Sequence, residues 1–419
     1  MKKVKIVGGT PLEGTVEIAG AKNVTLPCLA ASLLTDEPIT LHNIPQVADV
    51  PTMLKLLSHL GATATFTSPR TLQISLPKIK SYIAPYEMVK TMRASILVLG
   101  PLLSRHGYAL VSLPGGCAIG ARPINLHLEG LRKLGARIEL KHGYVEASCQ
   151  RLKGAEIYMD TVTVTGTENL LMASVRAEGE TVLKNCALEP EVTDLANLLV
   201  EMGAQIEGIG TSILKIRGVD RLHSAAHTII PDRIEAGTYL IAGAISGGEL
   251  QVKGCNPQHL VALADKLIQT GVKLRVEGES IWVRGGNKLS PVDVKTSPYP
   301  GFPTDMQAQF MTLMTQAEGV SIITETIFEN RFLHVAELDR MGARIKIDNH
   351  SAVIVGPTRL SGARVMATDL RASASLIIGG LVASGETVVE RVYHLDRGYE
   401  RIEEKLKKVG AQIERIDDD

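Results

Sequence analysis

Six short stretches of this 419-residue sequence place a charged or polar side chain at the start of a predicted helix that itself carries few charges. The side chains are Lys22 with Asn23, Arg93, Thr165, Asp232, Asp305, and Asp369 with Arg371. Free N–H groups and the positive dipole end make a helix start attractive to anions, and arginine can bind a carboxylate or phosphate through two hydrogen bonds. If the starts converge at one end of a domain, they predict a binding site for anionic ligands.

The three aspartates at these starts have a second interpretation as helix caps. Asp232, with Glu235 three residues further on, fits the pattern of a capping box. Asp305 and Asp369 precede helices in the same way, and a capping carboxylate accepts hydrogen bonds from the first N–H groups. For these residues the sequence is compatible both with a helix-capping role and with a role in ligand binding or catalysis. Any single lysine or arginine at these starts could equally be a solvated surface charge.

A thiol occupies a loop rich in glycine. The segment 113–123, Leu-Pro-Gly-Gly-Cys-Ala-Ile-Gly-Ala-Arg-Pro, lies between a predicted strand at 108–113 and a helix that starts near Pro123. This composition is typical of a mobile lid, and a thiol there would be accessible, whereas structural cysteines are buried. Cys117 is therefore a candidate reactive residue with Arg122 beside it, and an accidental surface cysteine is the alternative.

Two further arginines occupy corresponding places just before later amphipathic helices. Arg331 lies in the sequence Glu-Asn-Arg-Phe, and Arg397 lies in Asp-Arg-Gly. These places are near the same domain end as the helix starts, so both side chains would extend an anion site. Glu189 and Glu191 occupy the same place before another amphipathic helix, whose apolar residues lie at 195–202, and are weaker candidates. Taken singly, each of the four could be a cap or a surface charge.

The candidates are positioned by a repeated element, which consists of an amphipathic helix, a glycine and a strand. One copy is 131–140, Leu-Arg-Lys-Leu-Gly-Ala-Arg-Ile-Glu-Leu, and its glycine recurs at intervals of 68 to 74 residues. The six glycines are Gly61, Gly135, Gly203, Gly271, Gly342 and Gly410. Glycine can take the left-handed conformation that ends a helix. The fixed period predicts six copies of one supersecondary unit.

Each unit also contains a second helix that is apolar nearly all round, a pattern that predicts burial on all sides. These helices are expected at 26–34, 94–103, 169–177, 234–245, 306–314 and 372–383. After its glycine each unit closes with a strand, a turn and a strand, as in 343–348 and 352–355. Six units predict two α/β domains, each with three buried helices as a core wrapped by strands and amphipathic helices.

Composition argues against several classes of protein. Lysine plus arginine and aspartate plus glutamate both number 45, so a general nucleic-acid or anionic-membrane binder is not expected. The longest uncharged run, 372–385, is shorter than the about 18 residues of a membrane span, and the N-terminus lacks the apolar core of a signal peptide. The five cysteines show no paired spacing, so we expect a reduced, cytoplasmic protein without a metal site.

Seven motifs in order on a sixfold repeat resemble one family, the UDP-N-acetylglucosamine 1-carboxyvinyltransferases, which are enolpyruvyl transferases. The resemblance covers essentially the whole chain. The motifs are Gly20-Ala-Lys-Asn23, Thr91-Met-Arg-Ala-Ser95, Pro114-Gly-Gly-Cys-Ala-Ile-Gly-Ala-Arg-Pro123, Pro303-Thr-Asp-Met-Gln307, Thr324-Glu-Thr-Ile-Phe-Glu-Asn-Arg-Phe332, Asp369-Leu-Arg-Ala372 and Asp396-Arg-Gly398.

The resemblance implies a fold of two inside-out α/β barrel domains, each built from three units around buried central helices. One domain would comprise residues 21–230 and carry the Cys117 lid. The other would comprise residues 1–20 and 231–419, so that the first strand of the chain joins the second domain. Two crossovers would act as a hinge, and a cleft would lie between the domains.

The resemblance also implies an activity. Members transfer the enolpyruvyl group of phosphoenolpyruvate to the 3′-hydroxyl of UDP-N-acetylglucosamine and release phosphate by addition and elimination. This reaction is the first committed step of peptidoglycan precursor synthesis. It needs no cofactor and no metal, because arginines and helix ends supply the electrostatic stabilisation.

Residue roles follow from the same resemblance. Cys117 looks like the proton donor and the target of the epoxide inhibitor fosfomycin, and Asp305 looks like the acceptor of the hydroxyl proton. Lys22 and Arg397 also belong to the catalytic set. The full set of expected substrate contacts is Lys22, Asn23, Arg93, Arg122, Pro123, Ile124, Asn125, Leu126, Asp305, Ile327, Arg331, Arg371 and Arg397.

The sequence departs from the commonest family pattern at Asn125, where an aspartate is expected, and in the loop 162–166, which lacks a lysine of some relatives. Both positions bear on nucleotide affinity more than on reaction type. Two alternatives remain beside the main prediction. The first is an enolpyruvyl transferase acting on shikimate 3-phosphate, from which Cys117 in its loop discriminates. The second is a binding scaffold or inactive relative, against which the six cations and Asp305 argue.

Overall fold

The computed structural model describes residues 2–113, 124–286 and 288–417. Contacts among these residues divide the chain into two compact units. The first unit comprises residues 20–113 and 124–230, and the second unit comprises residues 2–19 and 231–417. Each unit has its own hydrophobic core of buried, mostly aliphatic side chains.

Two kinds of helix alternate along the described chain. The helices are α1 (Lys22–Ala31), α2 (Asp49–Leu60), α3 (Tyr86–Val89), α4 (Leu99–His106), α5 (Asn125–Lys133), α6 (Val164–Ser174), α7 (Pro190–Glu201), α8 (Arg233–Ser246), α9 (Val261–Gln269), α10 (Gln307–Met314), α11 (His334–Arg340), α12 (Leu370–Val382) and α13 (Ile402–Lys408). Short 3₁₀ helices occur at Ser32–Leu34, Arg93–Val98, Pro257–Leu260, Thr304–Met306 and Val392–Arg397. Several of them stand directly before or after an α-helix.

The strands are short and mostly of five residues. They are β1 (Lys3–Val7), β2 (Glu13–Glu17), β3 (Ile39–His42), β4 (Thr63–Ser68), β5 (Thr71–Ser75), β6 (Ile83–Ala84), β7 (Tyr108–Ser112), β8 (Arg137–Lys141), β9 (Tyr144–Ser148), β10 (Glu156–Tyr158), β11 (Glu180–Lys184), β12 (Gln205–Glu207), β13 (Ile213–Arg217), β14 (Ala225–Thr228), β15 (Glu249–Lys253), β16 (Lys273–Glu277), β17 (Ser280–Arg284), β18 (Val294–Lys295), β19 (Gly319–Thr324), β20 (Ile345–Asp348), β21 (Ser351–Gly356), β22 (Arg364–Met366), β23 (Glu386–Glu390) and β24 (Gln412–Ile416).

One sheet pattern recurs six times among the described residues. Each sheet has four strands, and the order β10-β11-β13-β12 is representative. Strand β10 pairs parallel with β11, whereas the pairs β11 with β13 and β13 with β12 are antiparallel. The same order of one parallel and two antiparallel pairs in every sheet confirms the sixfold repeat that the glycine period predicts.

Strand pairing joins the beginning and the end of each unit's chain. In the second unit, β1 lies between β23 and β24 and runs antiparallel to both, while β2 pairs parallel with β15. In the first unit, β14 near the end of the chain segment pairs parallel with β3 near its beginning. The sheets that these pairings complete could not be built from one repeat alone.

The repeat glycines end their helices as predicted. All six have left-handed backbone conformations, with φ between +90° and +119°. At Gly61 a Cβ atom would also stand only 2.6 Å from the carbonyl oxygen of Lys78. A residue with a side chain would therefore be strained by its φ angle and would clash at this position.

The second kind of helix is buried as predicted. In α8, for example, every residue from Ile234 to Ile245 is buried. Two of these helices begin earlier than their apolar runs, α1 at Lys22 and α6 at Val164. In α6 the side chain of Thr163 accepts a hydrogen bond from the N–H of Gly166, so a polar cap extends the helix beyond its apolar residues.

The buried helix of the second repeat differs from the prediction because it is split. A 3₁₀ helix at Arg93–Val98 precedes α4. The side-chain amide of Asn169 donates to the carbonyl oxygen of Ile96 at 3.2 Å and accepts from the N–H of Gly100 at 2.7 Å. These are the two groups that would bond each other in a continuous α-helix, so an inserted side chain interrupts the ladder. Only glycine fits at position 100, where a Cβ would lie 2.4 Å from Asn169.

Candidate active site

The second unit holds a carboxylate between two arginines. Asp305 lies in the 3₁₀ helix before α10, and its Oδ1 accepts a hydrogen bond from Nη2 of Arg331 at 2.6 Å. Its Oδ2 accepts one from Nη2 of Arg371 at 2.8 Å. The N-cap of this helix is Pro303, and Asp305 makes no cap hydrogen bond. Of the two interpretations of Asp305, the structure therefore excludes the helix cap.

The electrostatics of this cluster favour the charged forms of Asp305 and Arg371. Both arginine side chains are about 95% buried, at 5% and 4% exposure, and Asp305 is about a quarter exposed. Burial acts to raise the pKa of Asp305, but Arg371 and Arg331 outweigh it and hold that pKa well below its usual range. Burial likewise opposes the charge of Arg371, but Asp305 more than offsets it and raises that pKa. In this arrangement Asp305 is a hydrogen-bond acceptor and a weak base.

The starts of the three buried helices in the second unit converge on one tyrosine. The hydroxyl group of Tyr399 lies 2.8 Å from Oγ of Thr238 in α8 and 3.2 Å from Nε2 of Gln309 in α10. The guanidinium of Arg371 in α12 lies 5.4 Å from the centre of the Tyr399 ring. Gln309 also donates to the backbone oxygen of Asp305 at 2.9 Å. The predicted convergence of helix starts is therefore present in this unit.

Two other aspartates at helix starts are caps. Asp232 accepts from the N–H groups of Ile234 and Glu235, and Asp369 accepts from those of Arg371 and Ala372. The capping box is only half right, however. Glu235 turns away from the helix start, because its carboxylate binds Nζ of Lys405 at 2.6 Å and the N–H of Ala19 at 2.8 Å.

Arg397 lies at the end of the 3₁₀ helix Val392–Arg397, which packs against α12. Its neighbour Asp396 is engaged by Arg415 through hydrogen bonds of 2.8 and 2.7 Å. Ile327 is partly exposed in the loop that follows β19. The structure thus places Arg397 and Ile327 in the same unit as Asp305, with Ile327 on the loop that leads to Arg331.

In the first unit, Lys22 is the first residue of α1, and Asn23 follows it. The Nζ atom of Lys22 lies 3.3 Å from Oδ2 of Asp49, and both side chains are nearly buried. Arg93 begins the 3₁₀ helix before α4. The structure therefore brings Lys22 and Arg93 to the starts of two buried helices, as the sequence predicts.

His127, two residues after the start of α5, is neutral and buried. Burial, assisted by the charge of Arg93, lowers its pKa to about 4. Asn169 donates from Nδ2 to its Nδ1 at 3.1 Å, so the ring proton must be on Nε2, which lies 3.4 Å from Oγ of Thr165. This histidine joins α5 to the start of α6, which agrees with a packing role.

The expected nucleotide-sugar contacts are only partly within the described chain. Cys117, Arg122 and Pro123 lie outside the described residues. Ile124 is 9% exposed and belongs to the hydrophobic core. Asn125 is exposed at the first position of α5, and Leu126 is half-buried.

Sequence reasoning missed two buried carboxyl groups. Glu168 in α6 is 1% exposed, and burial, followed by repulsion from Glu191 and Glu189, raises its pKa well above the usual range. Its Oε1 atom has no hydrogen-bond partner among the described residues. Glu325 after β19 is equally buried but fully hydrogen-bonded. A lone glutamate in an apolar helix, or one flanked by threonines at a strand end, is the signal that could have identified them.

Some features are not found in the part of the chain that the structure describes. Residues 2–113, 124–286 and 288–417 contain no cluster of histidine, cysteine, aspartate or glutamate that could hold a metal ion. No helix formed by these residues is both long and apolar enough to cross a membrane. The described cysteines Cys28, Cys149, Cys186 and Cys255 are free thiols.

Comparison with solved structures identifies the fold class. The chain superimposes on the enolpyruvyl transferase NikO from Streptomyces tendae with a TM-score of 0.89, at 27% identity and 99% coverage of both chains. It also matches an EPSP synthase from Acinetobacter baumannii, with a TM-score of 0.76 and 100% coverage of both chains, but at 18% identity. The second likeness shows the fold alone. The predicted two-domain enolpyruvyl transferase fold is confirmed.

Comparison of sequences identifies the family. A family model described as EPSP synthase (3-phosphoshikimate 1-carboxyvinyltransferase) matches residues 6–406. Proteins named UDP-N-acetylglucosamine 1-carboxyvinyltransferase from Koribacter versatilis and Solibacter usitatus are 59% and 58% identical, covering 99% and 100% of this chain and 97% and 100% of their own. The chain belongs to the UDP-N-acetylglucosamine 1-carboxyvinyltransferase family of enolpyruvyl transferases, as its motifs predict.

Proposed function

We propose that this chain transfers the enolpyruvyl group of phosphoenolpyruvate to the 3′-hydroxyl of UDP-N-acetylglucosamine and releases phosphate. It would thereby catalyse the first committed step of peptidoglycan precursor synthesis, in the cytoplasm. Relatives that carry the name of this activity are 58–59% identical over nearly the whole chain. The structural observation that best supports the proposal is Asp305 held between Arg331 and Arg371 where buried helix starts converge.

The substrates carry a carboxylate, a phosphate and a diphosphate, so their site must be rich in cations. The first unit would contribute Lys22, Asn23 and Arg93 to this site. Arg331, Arg371 and Arg397 belong to the second unit. Lys22, Arg122 and Arg397 would bind phosphoenolpyruvate directly, supported by the other two arginines of the second unit. The nucleotide sugar would be contacted by Arg93, the segment Arg122–Leu126, Asp305 and Ile327.

The reaction is an addition followed by an elimination. In the addition, the methylene carbon of phosphoenolpyruvate takes the proton of Cys117. The neighbouring carbon then forms a bond to the sugar oxygen, whose proton passes to Asp305. In the elimination, the methyl group returns a proton to the Cys117 thiolate as the double bond re-forms. The bond to the phosphate oxygen breaks, and phosphate leaves with the proton that Asp305 took from the sugar hydroxyl. Acid–base steps of this kind each contribute about a hundred- to ten-thousand-fold in rate.

The low pKa of Asp305 has a consequence for this mechanism. A carboxylate clamped by two arginines is a weak base, so it must become more basic before it accepts a proton. The carboxylate and phosphate of phosphoenolpyruvate are competing partners for the same guanidinium groups. When they draw charge away from Asp305, its pKa rises towards its usual range. Arrival of phosphoenolpyruvate would thus prepare Asp305 to receive the hydroxyl proton.

The activity is tested by measuring phosphate released from phosphoenolpyruvate with UDP-N-acetylglucosamine as acceptor. We expect release with this acceptor and none when shikimate 3-phosphate replaces it. Release with shikimate 3-phosphate alone would favour the other branch of the family. No release with either acceptor would favour a scaffold without catalytic function.

The role of Cys117 is tested by two substitutions. Cys117→Ala should abolish most activity, because it removes both the proton donor and the nucleophile. Cys117→Asp should keep measurable transfer but escape covalent inactivation by fosfomycin, because a carboxyl group donates a proton yet attacks an epoxide poorly. A proton donor loses function once the pH rises above its pKa. As the pH rises, the activity of Cys117→Asp should therefore be lost at a lower pH than that of the unaltered protein, since the usual pKa is about 3.9 for aspartate and about 8.5 for cysteine. Full activity of Cys117→Ala would remove the thiol from the mechanism.

A further inference from the structure

Glu325 is a buried carboxylate whose hydrogen bonds are all made locally. It follows β19, and its side chain is only 1% exposed. Its Oε1 accepts from Oγ of Thr296 at 2.9 Å and from the N–H groups of Ile327 at 2.8 Å and Phe328 at 3.3 Å. Its Oε2 accepts from Oγ of Thr304 at 2.8 Å. A buried carboxylate is costly unless its lone pairs are satisfied, and these four donors satisfy them.

One oxygen of Glu325 leads to the candidate proton acceptor. The hydroxyl of Thr304 donates to Oε2 of Glu325, so its oxygen is left to accept from another group. Nη1 of Arg331 fills that place at 2.9 Å, while Nη2 of the same guanidinium binds Asp305 at 2.6 Å. The direction of the Thr304 hydroxyl therefore fixes where Arg331 presents its second N–H group to Asp305.

The other oxygen fixes the loop that carries Ile327. Besides the two backbone N–H groups of this loop, Oε1 receives the hydroxyl of Thr296, which in turn accepts from the N–H of Thr326 at 2.9 Å. Thr326 returns a hydrogen bond from its Oγ to the carbonyl oxygen of Thr296 at 2.6 Å. The ring of Phe328 lies 5.2 Å from the guanidinium of Arg331.

We infer that Glu325 is a positioning residue whose two oxygens act on different parts of the site, one on Arg331 and Asp305 through Thr304, the other on the Ile327 loop through Thr296. The inference rests on the proposed function, which gives Asp305 the hydroxyl proton and Ile327 a contact with the nucleotide sugar. Glu325 itself touches neither substrate. Because the arms separate at the carboxylate, they can be broken one at a time.

The experiment replaces each threonine hydroxyl by a methyl group of the same size. Thr304→Val breaks the arm to Arg331, so kcat should fall about tenfold to a hundredfold, while KM for UDP-N-acetylglucosamine changes little. The acid limb of its pH profile should also move to higher pH, because a misplaced Arg331 lowers the pKa of Asp305 less. Thr304→Ser keeps the hydroxyl and should restore both properties.

Thr296→Val breaks the arm to the Ile327 loop and should have the opposite effect on the two kinetic constants. KM for UDP-N-acetylglucosamine should rise several-fold, and kcat should stay close to that of the unaltered protein. A matched control is Thr358→Val in the same unit, where a buried hydroxyl that donates to the carbonyl of Thr315 at 2.9 Å is lost. This control should cost similar stability yet change neither kinetic constant.

Two results would overturn the inference while the unaltered protein remains active. The first is that Thr304→Val has the kinetics of Thr358→Val. The second is that both Thr304→Val and Thr296→Val change kcat and KM in parallel, as a general loosening of the fold would. Absence of phosphate release from the unaltered protein is a different outcome, because it would overturn the proposed function itself.

Discussion

The two units use different chemistry where their buried helices meet. In the second unit, Gln309 and Tyr399 connect helix starts and lead directly to Arg371 and Asp305, so the connection ends in charged groups. In the first unit the corresponding connection runs through Asn169, which binds backbone groups of the neighbouring helix and the neutral ring of His127. One meeting point is part of the candidate chemistry, and the other is structural.

This difference bears on how a repeated fold acquires a site. Corresponding turns of the buried helices carry polar residues in both units, namely Asn169 in α6, Thr238 in α8 and Gln309 in α10. In the second unit, arginines just before α11 and at the start of α12 complete the cluster. In the first unit, the equivalent hydrogen bonds are those of Asn169 to the backbone of the split helix at Ile96 and Gly100. The repeat thus supplies the scaffold, and a few charged residues make one copy reactive.

The largest expected effect comes from removing one charge of the second-unit cluster. Asp305→Asn should keep binding the sugar nucleotide but lose about a hundred- to ten-thousand-fold in turnover, because an amide cannot accept the proton. A matched control is Asp369→Asn, since Asp369 is a true cap and asparagine caps as well as aspartate. Phosphate release and calorimetric binding of UDP-N-acetylglucosamine would be measured for both. Near-normal turnover in a folded Asp305→Asn protein would contradict its role.

The next largest effect distinguishes the roles of Asn169 in the first unit and Gln309 in the second unit. Asn169→Leu leaves the N–H of Gly100, the carbonyl of Ile96 and Nδ1 of His127 without partners, which should cost about 2–4 kcal/mol of unfolding free energy. The fraction that remains folded should turn over normally. Gln309→Leu should lose less stability but also lower kcat, because Gln309 holds the backbone of Asp305. Urea unfolding and steady-state kinetics would test this.

The comparison between the two units would fail if both variants showed the same pattern. If Asn169→Leu had a lower kcat while fully folded, the place where the buried helices of the first unit meet would also take part in the chemistry. Unchanged kcat for Gln309→Leu would reduce the second meeting point to a structural role.

Much of the fold could be predicted because its signals are local. A glycine that must end a helix at positive φ, an apolar helix that must be buried and alternating strands each depend on neighbouring residues only. Six copies of each signal then reinforce one another. The pairing of β1 between β23 and β24 has no such local signal, since it joins opposite ends of the chain.

The candidate site was predictable in its residue types but less so in its contacts. Asp305, Arg331 and Arg371 could be named, yet the clamp between them depends on three separate segments of the second unit coming together. The capping box failed at Glu235 because Ala19 and Lys405, far away in sequence, offered it better partners than its own helix start. Tertiary contacts of this kind override a local motif without leaving a trace in it.

The smallest effect is a pH dependence confined to the first unit's connection. His127 has a pKa of about 4 in the folded protein because burial, with Arg93, opposes its charge, whereas the unfolded chain should titrate near the ordinary value of 6.5. Its folded-state pKa is depressed, so the unfolded chain binds the proton first. Stability should therefore be complete above about pH 6.5 and fall as the pH drops towards 4, by at most about 3 kcal/mol for this residue.

His127→Gln tests this expectation, since glutamine can accept from Asn169 and donate to Thr165 without titrating. Near pH 8 the variant should be less stable than the unaltered protein by about 1 kcal/mol, for imperfect geometry. As the pH falls to 5, the difference in unfolding free energy should shrink and then reverse. Only the unaltered protein is destabilised by protonation of His127 in its unfolded state. His106 and His334, whose pKa values burial also lowers to about 4, are present in both proteins and cancel. A difference in urea midpoint that stays constant from pH 8 to pH 5 would show that His127 is not the titrating group.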